Sequence, residues 1–149
     1  MPDIEVRVQP DHIERISKTN PIRALSELIW NAYDADATKV SVTFEDDILT
    51  RIETIRISDN GTGIDPEQAE AIFGGLGASG KKRKRKTDGG RFVHGEKGQG
   101  RFKAFSLGKE VTWLSDFKNH HFSIHGNISD PKHFPKSEIS PTTRKGCIV

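Results

Sequence analysis

Residues 21–37, PIRALSELIWNAYDADA, constrain the fold more than any other stretch of this chain. Their apolar residues recur at helical spacing. Pro21 stands at the first helical position, where the missing N–H has no intrahelical partner to lose. On a wheel of about 100° per residue, Leu25, Leu28, Ile29, Ala32 and Ala35 share one wide apolar arc. Beside it, Asn31 and Asp34 fall within about 40° of Glu27. One helix therefore has a core face and a narrow polar stripe next to it. Around this helix the chain alternates apolar and polar residues. Ile4, Val6 and Val8 read as a strand, as do Val40, Val42 and Phe44 before a turn at Asp46-Asp47. Ile52, Ile55 and Ile57 form another that runs to Ser58-Asp59. Val111 to Leu114, Phe122 to Ile124 and Cys147 to Val149 complete the set. Asp11 caps a helical turn through Ile16, Asp65-Pro66-Glu67 opens a short helix through Phe73, and 101–107 read as a further helix. Pro131, Pro135 and Pro141 mark a loop.

Composition removes several classes. At 149 residues the chain is long enough for one domain with its own core, with no need of a disulfide or metal staple. Its single cysteine, Cys147, excludes an internal disulfide and a multi-cysteine zinc site. No run approaches the ~18–20 apolar residues of a membrane helix. Met1 to Pro10 carries acids and is no signal peptide, so the cytoplasm is the default compartment. The 23 Lys and Arg residues barely exceed the 21 Asp and Glu, and six of those bases are consecutive, Lys81 to Lys86. Without that run the balance is acidic, so basicity is local and a uniformly nucleic-acid-binding surface is excluded.

From Gly74 to Gly100 the periodicity collapses, and seven glycines fall between Gly74 and Gly95. A long segment of this kind inside a compact domain reads as a lid or a disordered insert. Gly75-Leu76-Gly77-Ala78-Ser79-Gly80 spells a dinucleotide fingerprint but does not follow a strand, and Gly75 to Lys81 spells most of a P-loop but lacks the serine or threonine after the lysine. Both are set aside. Gly95-Glu96-Lys97-Gly98-Gln99-Gly100 is better placed. It runs straight into the helix expected from Arg101, where bare amides can meet phosphate oxygens and Lys97 can add charge.

Two further clusters carry chemistry. Spacing of i, i+4 sets Glu27 beside Asn31 on one helix face. A carboxylate can take a proton from water, and an amide oxygen is a hard ligand for magnesium. A solvated polar face is the ordinary explanation of such a stripe, but this one has short side chains and none of the lysines that surface helices carry. At the end of the third strand the chain reads Asp59-Asn60-Gly61-Thr62-Gly63-Ile64. A carboxylate there can accept from the amino group of adenine and repel the oxygen of guanine, while the glycines let backbone approach closely. The same letters also suit a plain Asx turn.

The order of these clusters is more specific than any one of them. Glu27-x-x-x-Asn31, Asp59-x-Gly61-x-Gly63 and Gly95-x-x-Gly98-x-Gly100 before a helix resemble the GHKL ATPase superfamily over about 22–149. That group includes type II topoisomerases, heat-shock chaperone ATPases, mismatch-repair ATPases, microrchidia ATPases and sensor histidine kinases. The resemblance implies the Bergerat fold, an α/β, two-layer α+β sandwich. In it a mixed, mostly antiparallel sheet carries helices on one face, and ATP lies under a lid spanning about 74–100. It implies that Glu27 is the general base and that Asn31 binds magnesium, with Asp34 three residues on. It also implies that Asp59 is the adenine-binding carboxylate with Gly63 beside the base, and that Gly61 and Ile64 bind the nucleotide. It implies that Gly98 and Gly100, with Lys97, form the lid that touches phosphates, and that Gln99, Arg101 and Phe102 bind the nucleotide with them. A late Gly-Thr pair that joins the adenine water network matches Gly146-Cys147 here, where the thiol is a weaker partner; Thr142 or Thr143 can substitute.

Glu27 favours the hydrolysing branch, because histidine kinases generally lack it. Hydrolysing relatives take a γ-phosphate lysine from a following domain. The expectation is therefore one ATP-binding domain over 1–149, cut before a transducer-type domain. It needs ATP and Mg2+, hydrolyses slowly alone, and contacts a second copy or a downstream domain when nucleotide closes the lid. The alternatives left open are a kinase-like or non-hydrolysing ATP-binding module and a nucleic-acid-binding module using Lys81 to Lys86. That run holds no aromatic residue for base stacking, and a solvated segment is its plainest explanation. His121 and His125 would lie about 13 Å apart on one strand face, too far to share a zinc ion. Trp30 lies off both the core arc and the stripe, facing the preceding segment or a partner.

Overall fold

The computed structural model describes residues 4–5, 15, 18–46, 48–49, 53–74, 86–92, 100–140 and 146–148. Asn20 caps the principal helix by accepting from the Ile22 N–H at 2.9 Å, with Pro21 in the first turn. The helix, α1, is Pro21–Asp34. It buries Ala24, Leu28 and Ala32, and Leu25 rests on the same core. Strand β1 is Ile4–Glu5, β2 is Val40–Asp46 and β3 is Glu53–Asp59. Helix α2 is Ala69–Gly74, and α3 is a single turn, Gly100–Lys103. The remaining strands are β4 (Glu110–Phe117), β5 (His120–Asn127), β6 (His133–Phe134), β7 (Lys136–Glu138) and β8 (Gly146–Ile148).

Six strands form one sheet in the order β2-β3-β8-β4-β5-β7, and β1 pairs with β6 apart from it. Every pairing among the described residues is antiparallel. Strands β4 and β5 join through Lys118 and Asn119, both at positive φ. That is the two-residue turn whose twist matches a hairpin. The last strand, β8, is inserted between β3 and β4: Ile148 stands opposite both Ser58 and Leu114. The end of the described chain is thereby brought beside the end of β3, where Asp59 lies.

Alternation decides which face is covered. Val111, Trp113, Phe122, Ile124 and Ile57 turn inward, and Leu28, Phe73, Phe102 and Phe105 meet them from the helical layer. Phe134 is the common contact. Its ring lies 5.6 Å from Phe102 edge to face, 5.6 Å from Phe73 and 6.0 Å from Trp113. Each such pair adds about 0.5–1.5 kcal/mol beyond simple burial. Gly126 is required by this crowd, because a Cβ there would stand 2.8 Å from the Phe134 ring and 2.9 Å from Phe105.

Several local expectations change. The helix over 101–107 is α3 followed by a 3-10 turn, Ala104–Ser106. The helix expected from Asp65 begins at Ala69; Asp65 instead holds a turn, accepting from the N–H of Glu67 at 2.9 Å and of Gln68 at 3.0 Å. The proline-marked loop contains β6 and β7, with Pro135 between them and its carbonyl accepting from His125 N–H. Strand β7 is a sheet edge, where proline is tolerated nearby. Val6, Val8, Ile52, Asp47, Val149, Pro141 and the turn over 11–14 and 16 lie outside the described residues. No helix among the described residues is long and apolar enough to cross a membrane.

Candidate functional site

The polar stripe of α1 runs along the boundary between the core and the open side. Glu27 is partly buried, and its Oε1 accepts from Lys103 Nζ at 3.1 Å. One turn further, Asn31 is exposed, and Asp34 is again partly buried. At 1.5 Å rise per residue, Glu27 and Ala35 are about 12 Å apart along the helix.

The loop after β3 is sewn to the far end of that helix. Thr62 N–H donates to the Ala35 carbonyl at 2.8 Å, and Asn60 N–H donates to that of Lys39 at 3.3 Å. The Asn60 side-chain oxygen accepts from the N–H groups of Thr38 and Lys39 at 2.8 and 2.9 Å, while its Nδ2 donates to Thr38 Oγ1 at 2.8 Å. Asp59 Oδ1 accepts from Gly61 N–H at 2.8 Å. A Cβ on Gly61 would stand 2.4 Å from the Ala35 oxygen. One on Gly63, at φ +76°, would stand 2.4 Å from the Asp116 oxygen. The close approach that these glycines permit is thus to the protein's own backbone.

Behind the loop is Ser115, only 3% exposed. Its Oγ accepts from Ile64 N–H at 2.8 Å and donates to the Ile64 carbonyl at 3.2 Å. Cys147 of β8 stands opposite Ser115 in register. The late strand is therefore paired with the stretch of β4 that meets the Gly63–Ile64 backbone.

Residues 86–92 form a small hairpin docked on the turn that ends α1. Lys86 bridges Phe92, Thr87 N–H donates to the Arg91 carbonyl at 2.8 Å, and Gly90 takes φ +84°. Asp36, at φ 59°, accepts from Thr87 Oγ1 with one carboxylate oxygen and from Gly89 N–H at 2.9 Å with the other. Arg91 donates to the Ala37 carbonyl at 2.5 Å and lies 5.9 Å from the Tyr33 ring centre. The Thr87 hydroxyl above all, then the Gly89 N–H, hold the Asp36 carboxyl below its usual range; desolvation opposes them and the Arg91 charge adds to them. One part of the expected lid is therefore ordered against α1. Residues 75–85 and 93–99, which include the basic run up to Arg85, Lys97, Gly98 and Gln99, lie outside the described residues, as do Thr142 and Thr143.

Glu27, Asn31 and Asp34 thus share one helix, while Asp59, Gly61, Gly63 and Ile64 share the loop at its end. Gly100 opens α3, with Arg101 next. The Phe102 side chain is fully buried against Phe134, so its backbone is what it can offer a ligand. His121 and His125 have separate neighbours, Asp116 at 3.4 Å and Thr112 at 3.0 Å. Trp30 is partly exposed and lies 5.8 Å from the Tyr33 ring.

The family described as histidine kinase-, DNA gyrase B- and HSP90-like ATPase matches residues 19–144. The chain belongs to that ATPase family. A protein of Herpetosiphon aurantiacus described as the type II restriction enzyme HgiDII is 34% identical over 117 residues, 77% of this chain and 18% of that protein. The DNA mismatch repair protein MutL of Methanoculleus marisnigri is 35% identical over 74 residues, 46% of this chain and 12% of that protein. The chain thus spans less than a fifth of the length of these relatives. A crystal structure of the N-terminal domain of a DNA repair protein superposes with a TM-score of 0.58 at 23% identity, covering 91% of this chain and 37% of that one. A mutant MutL ATPase domain of Aquifex aeolicus gives 0.50 at 21% identity, covering 87% and 38%. These structures share the fold: a mainly antiparallel sheet with helices on one face.

Family membership directs attention to donors for a divalent cation. Among the described residues no three His, Cys, Asp or Glu side chains gather as a metal cage. Magnesium asks for less, since it commonly takes one or two protein oxygens and completes its shell with phosphates and water. Asn31, exposed on the stripe between Glu27 and Asp34, fits that demand.

Four residues join the site without having been singled out from the sequence. Ser115 had a signal, a hydroxyl at an inward position of the Val111, Trp113, Ser115 alternation. Asn60 lay inside the motif between the residues that drew attention. Lys103 and Asp36 had none, because their partners are 76 and 51 residues away in the chain.

Proposed function

We propose that this domain binds ATP with magnesium and hydrolyses it slowly, serving as the nucleotide-driven clamp of a larger protein. The observation that carries the reading is the span of α1. The Asp59 loop is hydrogen-bonded to one end of the helix, and Glu27 stands about 12 Å back along it. An extended nucleoside triphosphate can bridge those points, with its base at Asp59 and its last phosphate near Glu27.

In this reading the Asp59 carboxylate accepts from the amino group of adenine and disfavours guanine, which presents an oxygen there. Gly61, Gly63 and Ile64 set the loop that carries it, pinned from behind by Ser115. The Cys147 strand closes that side. Glu27 orients and deprotonates the attacking water, and Asn31 would hold the cation, with Asp34 one turn away to support it. Bound there, magnesium supplies positive charge to the phosphates. Lys97, Gly98, Gln99, Gly100, Arg101 and the Phe102 backbone belong to the phosphate side of the lid. The γ-phosphate lysine used by hydrolysing relatives would come from a following domain, so turnover by residues 1–149 alone is slow. Nucleotide closes the lid, and closure drives contact with a second copy or that following domain. A cytoplasmic setting, rich in ATP and magnesium, suits the reading.

A second reading, contact with nucleic acid through Lys81 to Lys86, is favoured by one observation. That run leads directly into a hairpin docked beside the site, so a bound polyanion would act on the lid. The named relatives also work on DNA.

The test is calorimetry with ATP and GTP in magnesium, together with phosphate release. Asp59→Asn should lose about 1.5–3 kcal/mol of ATP binding, the value of a charge-assisted hydrogen bond. Glu27→Ala should bind ATP almost unchanged and abolish release. Equal affinity for ATP and GTP would remove the adenine assignment. Phosphate release that survives Glu27→Ala would remove the catalytic one.

A further inference from the structure

We propose that Lys103 is a positioning residue for hydrolysis: it fixes the carboxylate of Glu27 in the orientation from which that group takes its water. The inference rests on the reading of Glu27 as general base.

Lys103 Nζ donates to Glu27 Oε1 at 3.1 Å, and the two side chains are only 18% and 32% exposed. Exposed ion pairs contribute little because two long side chains must be immobilised in water. This pair is different, because both of its backbones are already locked. Lys103 is flanked by Phe102 and Ala104, both buried in the core, and Glu27 precedes buried Leu28. The contact ties α1 to α3, elements whose sequences are far apart, directly at the stripe residue read as the general base. An ammonium on Oε1 anchors one oxygen and leaves Oε2 to accept from water. It also offsets the repulsion between a carboxylate and the triphosphate that must come near it.

The step balances without a new reactant. Water oxygen forms a bond to the γ-phosphorus while the bond from that phosphorus to the bridging oxygen breaks, leaving ADP. The water proton passes to Glu27 and then to solvent. Lys103 keeps its protons throughout and acts through Glu27.

The experiment is single-turnover hydrolysis with the chain in excess over ATP, combined with ATP and ADP affinities. The proteins are wild type, K103M, K103R, E27Q and the E27Q/K103M double variant. Misplacing a catalytic group by about 1 Å can cost ~100-fold. K103M should therefore turn over roughly 10–100-fold more slowly with nucleotide affinity changed less than about threefold, and K103R should recover most of the rate. In the E27Q background K103M should cost nothing further, since the group it positions is gone. The 13C signal of the Glu27 carboxyl, identified by its loss in E27Q, should move in K103M and stay near its place in K103R whether or not turnover is fast. Full additivity of E27Q and K103M overturns the proposal. So does an unmoved carboxyl signal, or a loss of ATP affinity with the rate kept, which would make Lys103 a phosphate ligand. A wild-type rate in E27Q strikes instead at the general-base reading.

Discussion

Replacing Ser115 by alanine tests how the loop after β3 is held. The hydroxyl accepts from Ile64 N–H at 2.8 Å and donates to the Ile64 carbonyl at 3.2 Å, and the residue is 3% exposed. Alanine keeps the strand and removes almost no apolar contact. What it leaves is an N–H and a carbonyl without their partner, behind a loop. An unsatisfied buried donor costs about 1–3 kcal/mol. Ile64 itself is only partly buried, so water can repair some of the loss and the lower half of that range applies, about 1–2 kcal/mol. For a domain of this size that lowers the melting temperature by roughly 2–8 °C. Urea unfolding should show an earlier midpoint with an unchanged slope, because the surface exposed on unfolding is the same. ATP affinity should fall as well, since Gly63 and Ile64 continue the loop that Asp59 begins. Ser115→Cys should fall between the two, because a thiol is a weak donor and acceptor. A midpoint and an ATP affinity both equal to wild type would refute the reasoning that this hydroxyl anchors the loop.

Gly63→Ala should be the more damaging change. It forces a side chain to φ +76° with its Cβ 2.4 Å from the Asp116 oxygen, so it adds a steric shift to the ~1–2 kcal/mol of left-handed strain; denaturant midpoints of the two variants measured side by side check the order. The docked hairpin should loosen in acid. The Asp36 carboxyl is held below the ordinary aspartate value of 3.8 by the hydrogen bond from Thr87, the Gly89 N–H and the Arg91 charge, so docked Asp36 binds a proton less readily than undocked Asp36. The stabilisation is complete above 3.8 and is lost as pH falls through the docked pKa. The Gly89 amide resonance should report that transition, and Asp36→Ala should abolish it and speed tryptic cleavage after Lys86 and Arg91 at neutral pH.

Elements with local causes were legible. Helix α1 declares itself through apolar spacing, Asn20 at its cap and Pro21 in its first turn. Strands β4 and β5 declare themselves through alternation, since one face is buried and the other is not. Over 101–107 the i, i+3 spacing of Phe102 and Phe105 looks helical, but the two rings reach Phe134 from a single α turn and a 3-10 turn. Strands β6 and β7 were hidden by prolines that break periodicity without breaking an edge pairing.

The candidate site divides the same way. Glu27, Asn31 and Asp34 could be grouped because a helix turns fixed intervals into a shared face. What joins the helix to Asp59 is a turn, 35–39, in which each bond depends on topology. Ala35 offers its carbonyl to Thr62, and Thr38 and Lys39 offer amides to Asn60. Asp36 faces the other way and holds Thr87 and Gly89. In the stretch Asp34-Ala35-Asp36-Ala37 two carboxylates look alike by composition. Residue 34 still follows the helical wheel, whereas residue 36 has left it with φ at 59°. Past the last helical residue the wheel no longer assigns a direction. The aspartate that ties the hairpin to α1 is therefore the one that periodicity cannot reach. By holding the Asp59 loop on one side and the hairpin on the other, a five-residue turn couples two segments that the proposed function assigns to the adenine end and the lid.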